Sequence, residues 1–133
     1  MAAGCAACHG RAPIATCDDD LGGTYRDPSG ATWMILDDGA SLEAYPLFDD
    51  FHGGSDAQAA PRAIDVARPR MDGEVHRRYT RGAQTCNAHA PVRVTACRDD
   101  RLELVIADPP PPLTYQPCAS PPGLTHVERW LHD

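Results

Sequence analysis

From Gly22 onward the chain is punctuated by turn-forming residues every 8 to 12 positions, too short a spacing for most helices and natural for antiparallel strands joined by hairpins. Asp27-Pro28-Ser29-Gly30 carries the residues of a type I turn after Thr24-Tyr25-Arg26. Ala31 to Asp37 is rich in β-formers, and Asp38-Gly39 then predicts a two-residue I′ hairpin. That register sets Asp37 opposite Ala40, Ile35 opposite Leu42 and Trp33 opposite Ala44, making one apolar face. In the next clear hairpin, Val92, Val94 and Ala96 alternate with Arg93, Thr95 and Cys97, and Leu102, Leu104 and Ile106 alternate with Arg101, Glu103 and Val105. A two-residue loop at Asp99-Asp100 mixes the faces; a three-residue loop over Arg98-Asp99-Asp100 aligns Ala96 with Leu102, Val94 with Leu104 and Val92 with Ile106, and is preferred. It needs a left-handed residue near Asp100.

Further strands are read at Ala63 to Arg68, Gly73 to Arg81 and Thr125 to Leu131. The expected fold is therefore all-β, a small antiparallel meander barrel or sandwich of about eight strands. Residues 1–16 read as an N-terminal tether or motif segment and residues 17–133 as one domain. Gly53 to Pro61 and the run Asp108-Pro109-Pro110-Pro111-Pro112 read as connections, the second as an extended spacer. An eight-stranded meander barrel resembles the lipocalin-like group in architecture, which implies a small apolar ligand in its mouth.

The core of such a domain is thin: Leu, Ile, Val and Phe make only 21 of 133 residues, below the level usual for a self-sufficient core. Six cysteines offer covalent compensation and point to an oxidising compartment. The pairing read for the body is Cys17 to Cys118 and Cys86 to Cys97, with the two other connectivities of these four cysteines left open. A net charge of −7 argues against unspecific binding to nucleic acid or anionic membrane. All twelve cations are Arg, so a Walker-type phosphate loop and a lysine Schiff base are excluded.

The N-terminus carries several readings. Ala2-Ala3-Gly4-Cys5 resembles the end of a bacterial lipoprotein signal, which implies an acylated Cys5, although Ala2 stands where a large aliphatic residue is usual. Cys5-Ala6-Ala7-Cys8-His9-Gly10 resembles the haem-attachment motif of c-type cytochromes. That resemblance implies thioethers at Cys5 and Cys8, His9 as axial ligand, and a sixth ligand from Met34, Met71, His52, His76, His89, His126 or His132. Cys5, Cys8, His9 and Cys17 are alternatively four tetrahedral zinc ligands. A local Cys5 to Cys8 disulfide completes the set.

Two more constellations stand out. Val75, Arg77 and Tyr79 share one strand face; if it is the inner one, Arg77 points inward and needs a carboxylate or an anionic ligand, which makes Arg77 and Tyr79, with Trp33, candidate ligand-binding residues. Asp49, Asp50, His52 and Asp56 fall within eight residues and are candidate divalent-metal ligands for a hydrolase. Neither a Gly-x-Ser-x-Gly elbow nor a His-Glu-x-x-His motif is present, and His126-Val127-Glu128 lacks a third partner. The reading that follows is an exported bacterial envelope protein with a binding or structural role and no cofactor, found in the periplasm, anchored to the outer membrane or extracellular. Its partner would be a small ligand or another envelope protein, and it would meet the membrane only through a lipid anchor. The alternatives are a haem-c electron carrier and a metal-dependent hydrolase.

Overall fold

The computed structural model describes residues 13–47 and 57–133, and their regular structure is entirely β. The strands are β1 Gly23–Arg26, β2 Thr32–Asp37, β3 Ser41–Pro46, β4 Ala57–Ala59, β5 Ala63–Ala67, β6 Asp72–Arg81, β7 Gln84–Arg98, β8 Arg101–Ala107, β9 Thr114–Tyr115, β10 Cys118–Ala119 and β11 Thr125–His132. Eight of them close an antiparallel barrel in the order β1-β2-β3-β5-β6-β7-β8-β11, with β11 returning to β1. β6 and β7 outrun their neighbours, so β4 pairs with the upper half of β6 and the small β9-β10 hairpin lies beside β7. Closure leaves no edge in the barrel wall itself.

Turn chemistry sets the hairpins. At Asp27 to Gly30 the Gly30 N–H donates to the Asp27 carbonyl at 2.9 Å, and Gly30 adopts φ +89°. Three residues, Asp38 to Ala40, separate β2 from β3 instead of two, and the register shifts with them: Asp37 lies opposite Leu42 and Ile35 opposite Ala44. The Asp38 carboxylate accepts the N–H groups of Ala40 and Ser41, while Asp37 accepts that of Gly39, and these bonds stabilise the wider loop. The slip is two residues, so Trp33, Ile35, Leu42 and Ala44 still share the buried face.

The β7-β8 hairpin combines both registers weighed above. Its tip is the two-residue turn Asp99-Asp100, with φ +53° and +60°, and it aligns Ala96 with Glu103 and Cys97 with Leu102. A bulge between Val94 and Ala96 then restores Val94 opposite Leu104 and Val92 opposite Ile106. Thr95 fills the irregularity, its hydroxyl donating to the Glu103 carbonyl at 3.2 Å. The extra residue inverts the alternation, so Cys97 faces the core and Ala96 does not.

That inversion corrects the disulfides, which are Cys17–Cys97 and Cys86–Cys118. The expected Cys86 to Cys97 bridge fails because both residues lie on β7; eleven residues of extended strand separate them by about 36 Å, far beyond the reach of one disulfide. The other expected bridge, Cys17 to Cys118, would join opposite ends of the barrel. Cys17 instead meets Cys97 at the floor, and Cys118 meets Cys86 at the roof.

The interior is packed with Tyr25, Trp33, Ile35, Leu42, Ile64, Val66, Val75, Val92, Val94, Leu102, Leu104, Ile106 and Trp130. The segment before β1 plugs the floor, with Ile14 and Leu21 buried; Ile14 thus lies inside the domain, on the far side of the boundary read at residue 17. The proline run is no free spacer: Pro109 is fully buried, and its carbonyl accepts the Tyr79 hydroxyl at 2.5 Å.

Candidate functional site

Several residues singled out in the sequence lie outside the described residues: Cys5, Cys8 and His9, and likewise Asp49, Asp50, His52 and Asp56. Cys17 is committed to its disulfide, so it supplies no thiolate to a zinc set with them. Trp33 is a core residue whose indole N–H is already donated to Asp27. Tyr79 is buried and bonded to Pro109. Arg77 does lie on the inner face, between buried Val75 and Tyr79, and its buried Nε meets no hydrogen-bond partner among the described residues. Among the described residues Trp33 and Tyr79 belong to separate buried clusters, Trp33 to the main barrel core and Tyr79 to the smaller group with Cys86, Ala88 and Tyr115.

Among the described residues, two further polar clusters bear on function, one at the roof and one on the outer wall. At the roof, Trp33 and Trp130 pack with ring centroids 4.6 Å apart and their planes tilted by 35°, and each indole N–H is taken by a carboxylate, Asp27 at 2.9 Å and Glu128 at 3.0 Å. Arg62 spans the two acids. Its guanidinium lies 5.2 Å over the Trp33 ring, 3.2 Å from Glu128 and 3.7 Å from Asp27, with exposed Asp108 at 2.8 Å. His126, two residues along β11, bonds Glu128 through Nε2 at 2.7 Å.

The electrostatics of this roof cluster are self-consistent. Burial pushes the Asp27 carboxyl up, but hydrogen bonds from the Ser29 hydroxyl, the Trp33 indole and the backbone N–H groups of Ala31 and Ser29 outweigh it and hold the pKa below the ordinary range. Burial likewise raises Glu128, and bonds from Trp130 and His126 with the charge of Arg62 more than reverse it. The bond to Glu128 raises His126. Burial works against the Arg62 charge, yet Glu128 and Asp108 raise its pKa. Arg62, with His126 when protonated, offsets the carboxylates, so the cluster clasps the roof.

The second cluster sits on the outer wall, where β5, β6 and β7 present Asp65, Glu74, His76 and His89. His76 and His89 are direct cross-strand partners, and their Nδ1 atoms face each other at 3.0 Å. Nε2 of His76 lies 2.9 Å from Asp65, and Nδ1 of His89 lies 3.9 Å from Glu74. One potential ligand atom from each of Glu74, His76 and His89 lies within 4.8 Å of the others. Gly73 permits the close strand approach here: a Cβ on it would meet the Asp65 carbonyl at 1.8 Å. Asp65, Glu74 and His76 also line an open recess of about 750 Å³. Two imidazoles and a carboxylate on rigid strands make a donor set of the kind that holds a borderline divalent metal.

Comparison of the chain with protein-family models, with curated proteins and with solved structures finds no match. The geometry therefore stands on its own. Sequence reasoning missed the His76–His89 pair because it began the strand after β6 at Val92, whereas β7 begins at Gln84. The signal was present in Gly82, whose φ of +58° makes the tight turn that sets the register. No sequence signal marks the meeting of Arg62, Asp27 and Glu128, which are far apart in the chain.

Proposed function

We propose that this protein is an exported bacterial envelope protein, tethered through an acylated Cys5 or free in the periplasm, whose barrel has a binding or structural role. The observation that carries this reading is the pair of disulfides, one at each end of a thin-cored barrel. Such bonds fit an oxidising compartment and stabilise small exported domains. A filled interior supports binding at the outer surface in place of a lipocalin-like mouth. The roof carboxylates Asp27 and Glu128 already hold Arg62 and the two indole N–H groups, which supports a structural role for that end.

The test is intact mass and cell fractionation of the full-length protein, expressed in a bacterium competent for lipoprotein processing and for haem-c maturation. A diacylglycerol-sized increment on Cys5 as first residue, in a membrane fraction, is the expected result. An oxidised, unmodified protein in the periplasm keeps export and removes the tether. A haem-sized increment overturns the reading in favour of an electron carrier using Cys5, Cys8 and His9, and a reduced cytosolic protein overturns export.

A further inference from the structure

We propose that His76, His89 and Glu74 form a site for a borderline divalent metal ion of the zinc class on the outer wall of the barrel, with Asp65 orienting His76. The inference is independent of the reading above.

The arrangement of nitrogens is the first argument. Two nitrogen ligands bound to one ion at about 2.0 to 2.1 Å must lie about 3 to 3.5 Å apart, and the Nδ1 atoms of His76 and His89 already stand at 3.0 Å. The ring centroids are 5.0 Å apart and the planes nearly perpendicular, so the imidazoles approach edge to edge and do not stack. Because the residues are direct partners across β6 and β7, strand pairing holds this separation without long, floppy connections.

Proton placement is the second. Asp65 accepts a hydrogen bond at His76 Nε2, 2.9 Å away, which keeps the proton there and leaves the Nδ1 lone pair directed toward His89. A carboxylate behind the distal nitrogen of a ligating imidazole is the usual support for a metal-bound histidine. Glu74, opposite Asp65 in the β5-β6 register and 3.9 Å from His89, brings the anionic ligand that offsets a divalent charge.

Ligand chemistry then selects the ion. Two imidazoles with one carboxylate suit zinc, copper or nickel, whereas calcium and magnesium require mostly oxygen donors. Three protein ligands leave a coordination position for water or an exchangeable ligand. The recess lined by Asp65, Glu74 and His76 gives such a ligand room.

The experiment is calorimetric titration of the oxidised, chelator-stripped full chain with Zn²⁺, with the histidine ring signals followed by NMR. One equivalent is expected to bind and to move the signals of His76 and His89 while leaving those of His126 and His132 in place; excess Ca²⁺ should not compete. His76→Ala and His89→Ala should each weaken binding more than about 100-fold, and Asp65→Asn about 10-fold or more, as an outer-shell partner does. His52→Ala and the double change Cys5→Ser with Cys8→Ser should leave the affinity unchanged. Binding that survives His76→Ala or His89→Ala, or that disappears with His52→Ala or with the cysteine changes, overturns the proposal. So does wild-type protein whose His76 and His89 signals ignore Zn²⁺, a readout that needs no variant to fold.

Discussion

The floor of the barrel is closed by apolar side chains and a disulfide, whereas the roof is closed by an ion cluster laid over two tryptophans. At the floor Ile14 and Leu21 are buried, Cys17–Cys97 ties the plug to β7, and Asp100 brackets Ile14 by accepting its N–H and donating its own to the Ile14 carbonyl. Arg68 adds a clamp, binding the Asp37 carboxylate and the carbonyls of Cys17 and Asp19. The roof has its own disulfide, Cys86–Cys118, but the groups above the Trp33–Trp130 pair are Arg62, Asp27, Glu128 and His126. The contrast shows two ways to seal a barrel end. The floor therefore adds one ion pair, Arg68–Asp37, to a seal whose apolar burial and covalent tie are indifferent to pH, whereas the charged groups at the roof hold only while they keep their protonation states.

The largest difference should appear when the disulfides are removed one at a time. Cys17–Cys97 spans 80 residues and Cys86–Cys118 spans 32, so on chain entropy the double change Cys17→Ala with Cys97→Ala should cost about 4 to 5 kcal/mol and Cys86→Ala with Cys118→Ala about 3.5 to 4 kcal/mol. Urea unfolding of the two variants measures both, and a larger loss from the roof pair would reverse the ranking of the ends.

Arg62→Met should come next. It leaves buried Asp27 and Glu128 without their shared cation, with an expected loss of about 3 kcal/mol in urea unfolding at neutral pH. A loss near that of a surface ion pair would mean that the tryptophans alone seal the roof.

The smallest effect is in pH. The raised His126 contributes stability that is complete below its ordinary pKa of 6.5 and is lost as pH rises through its folded value. The depressed Asp27 and Glu128 work oppositely: their contribution is complete above the ordinary carboxylate range and is lost as pH falls through their folded values. Between about pH 6 and 8, then, the wild type should lose less than ~1 kcal/mol that His126→Gln does not lose, because His126 is partly solvated. Amide exchange should localise that change to the roof; an equal change at the floor would break the comparison.

How far the sequence was legible differs between these regions. The Asp27 to Gly30 turn, the buried alternation of β2 and β3, and a left-handed residue at Asp100 follow from local residue chemistry and are present in the fold, whereas the preferred three-residue loop is replaced by a two-residue turn with Asp99 left-handed as well. The Cys97 orientation was misread because a single bulged residue inverts the alternation beyond it, and alternation alone does not say where a bulge falls. The inward face of Val75, Arg77 and Tyr79 was readable as a condition and is met for Val75 and Tyr79 by burial. The roof clasp was not readable, because Arg62, Asp27 and Glu128 come from three separate parts of the chain.

An all-β, hairpin-joined chain with a thin core follows from the residues alone, because turn residues and two-residue alternation act between near neighbours and the shortage of large apolar side chains is a matter of composition. Closure of the sheet, the choice of cysteine partners and the meeting of His76, His89, Glu74 and Asp65 on one patch of wall arise only in three dimensions. Those outcomes depend on register accumulated around eight strands, where each loop length and each bulge shifts which distant residues come face to face.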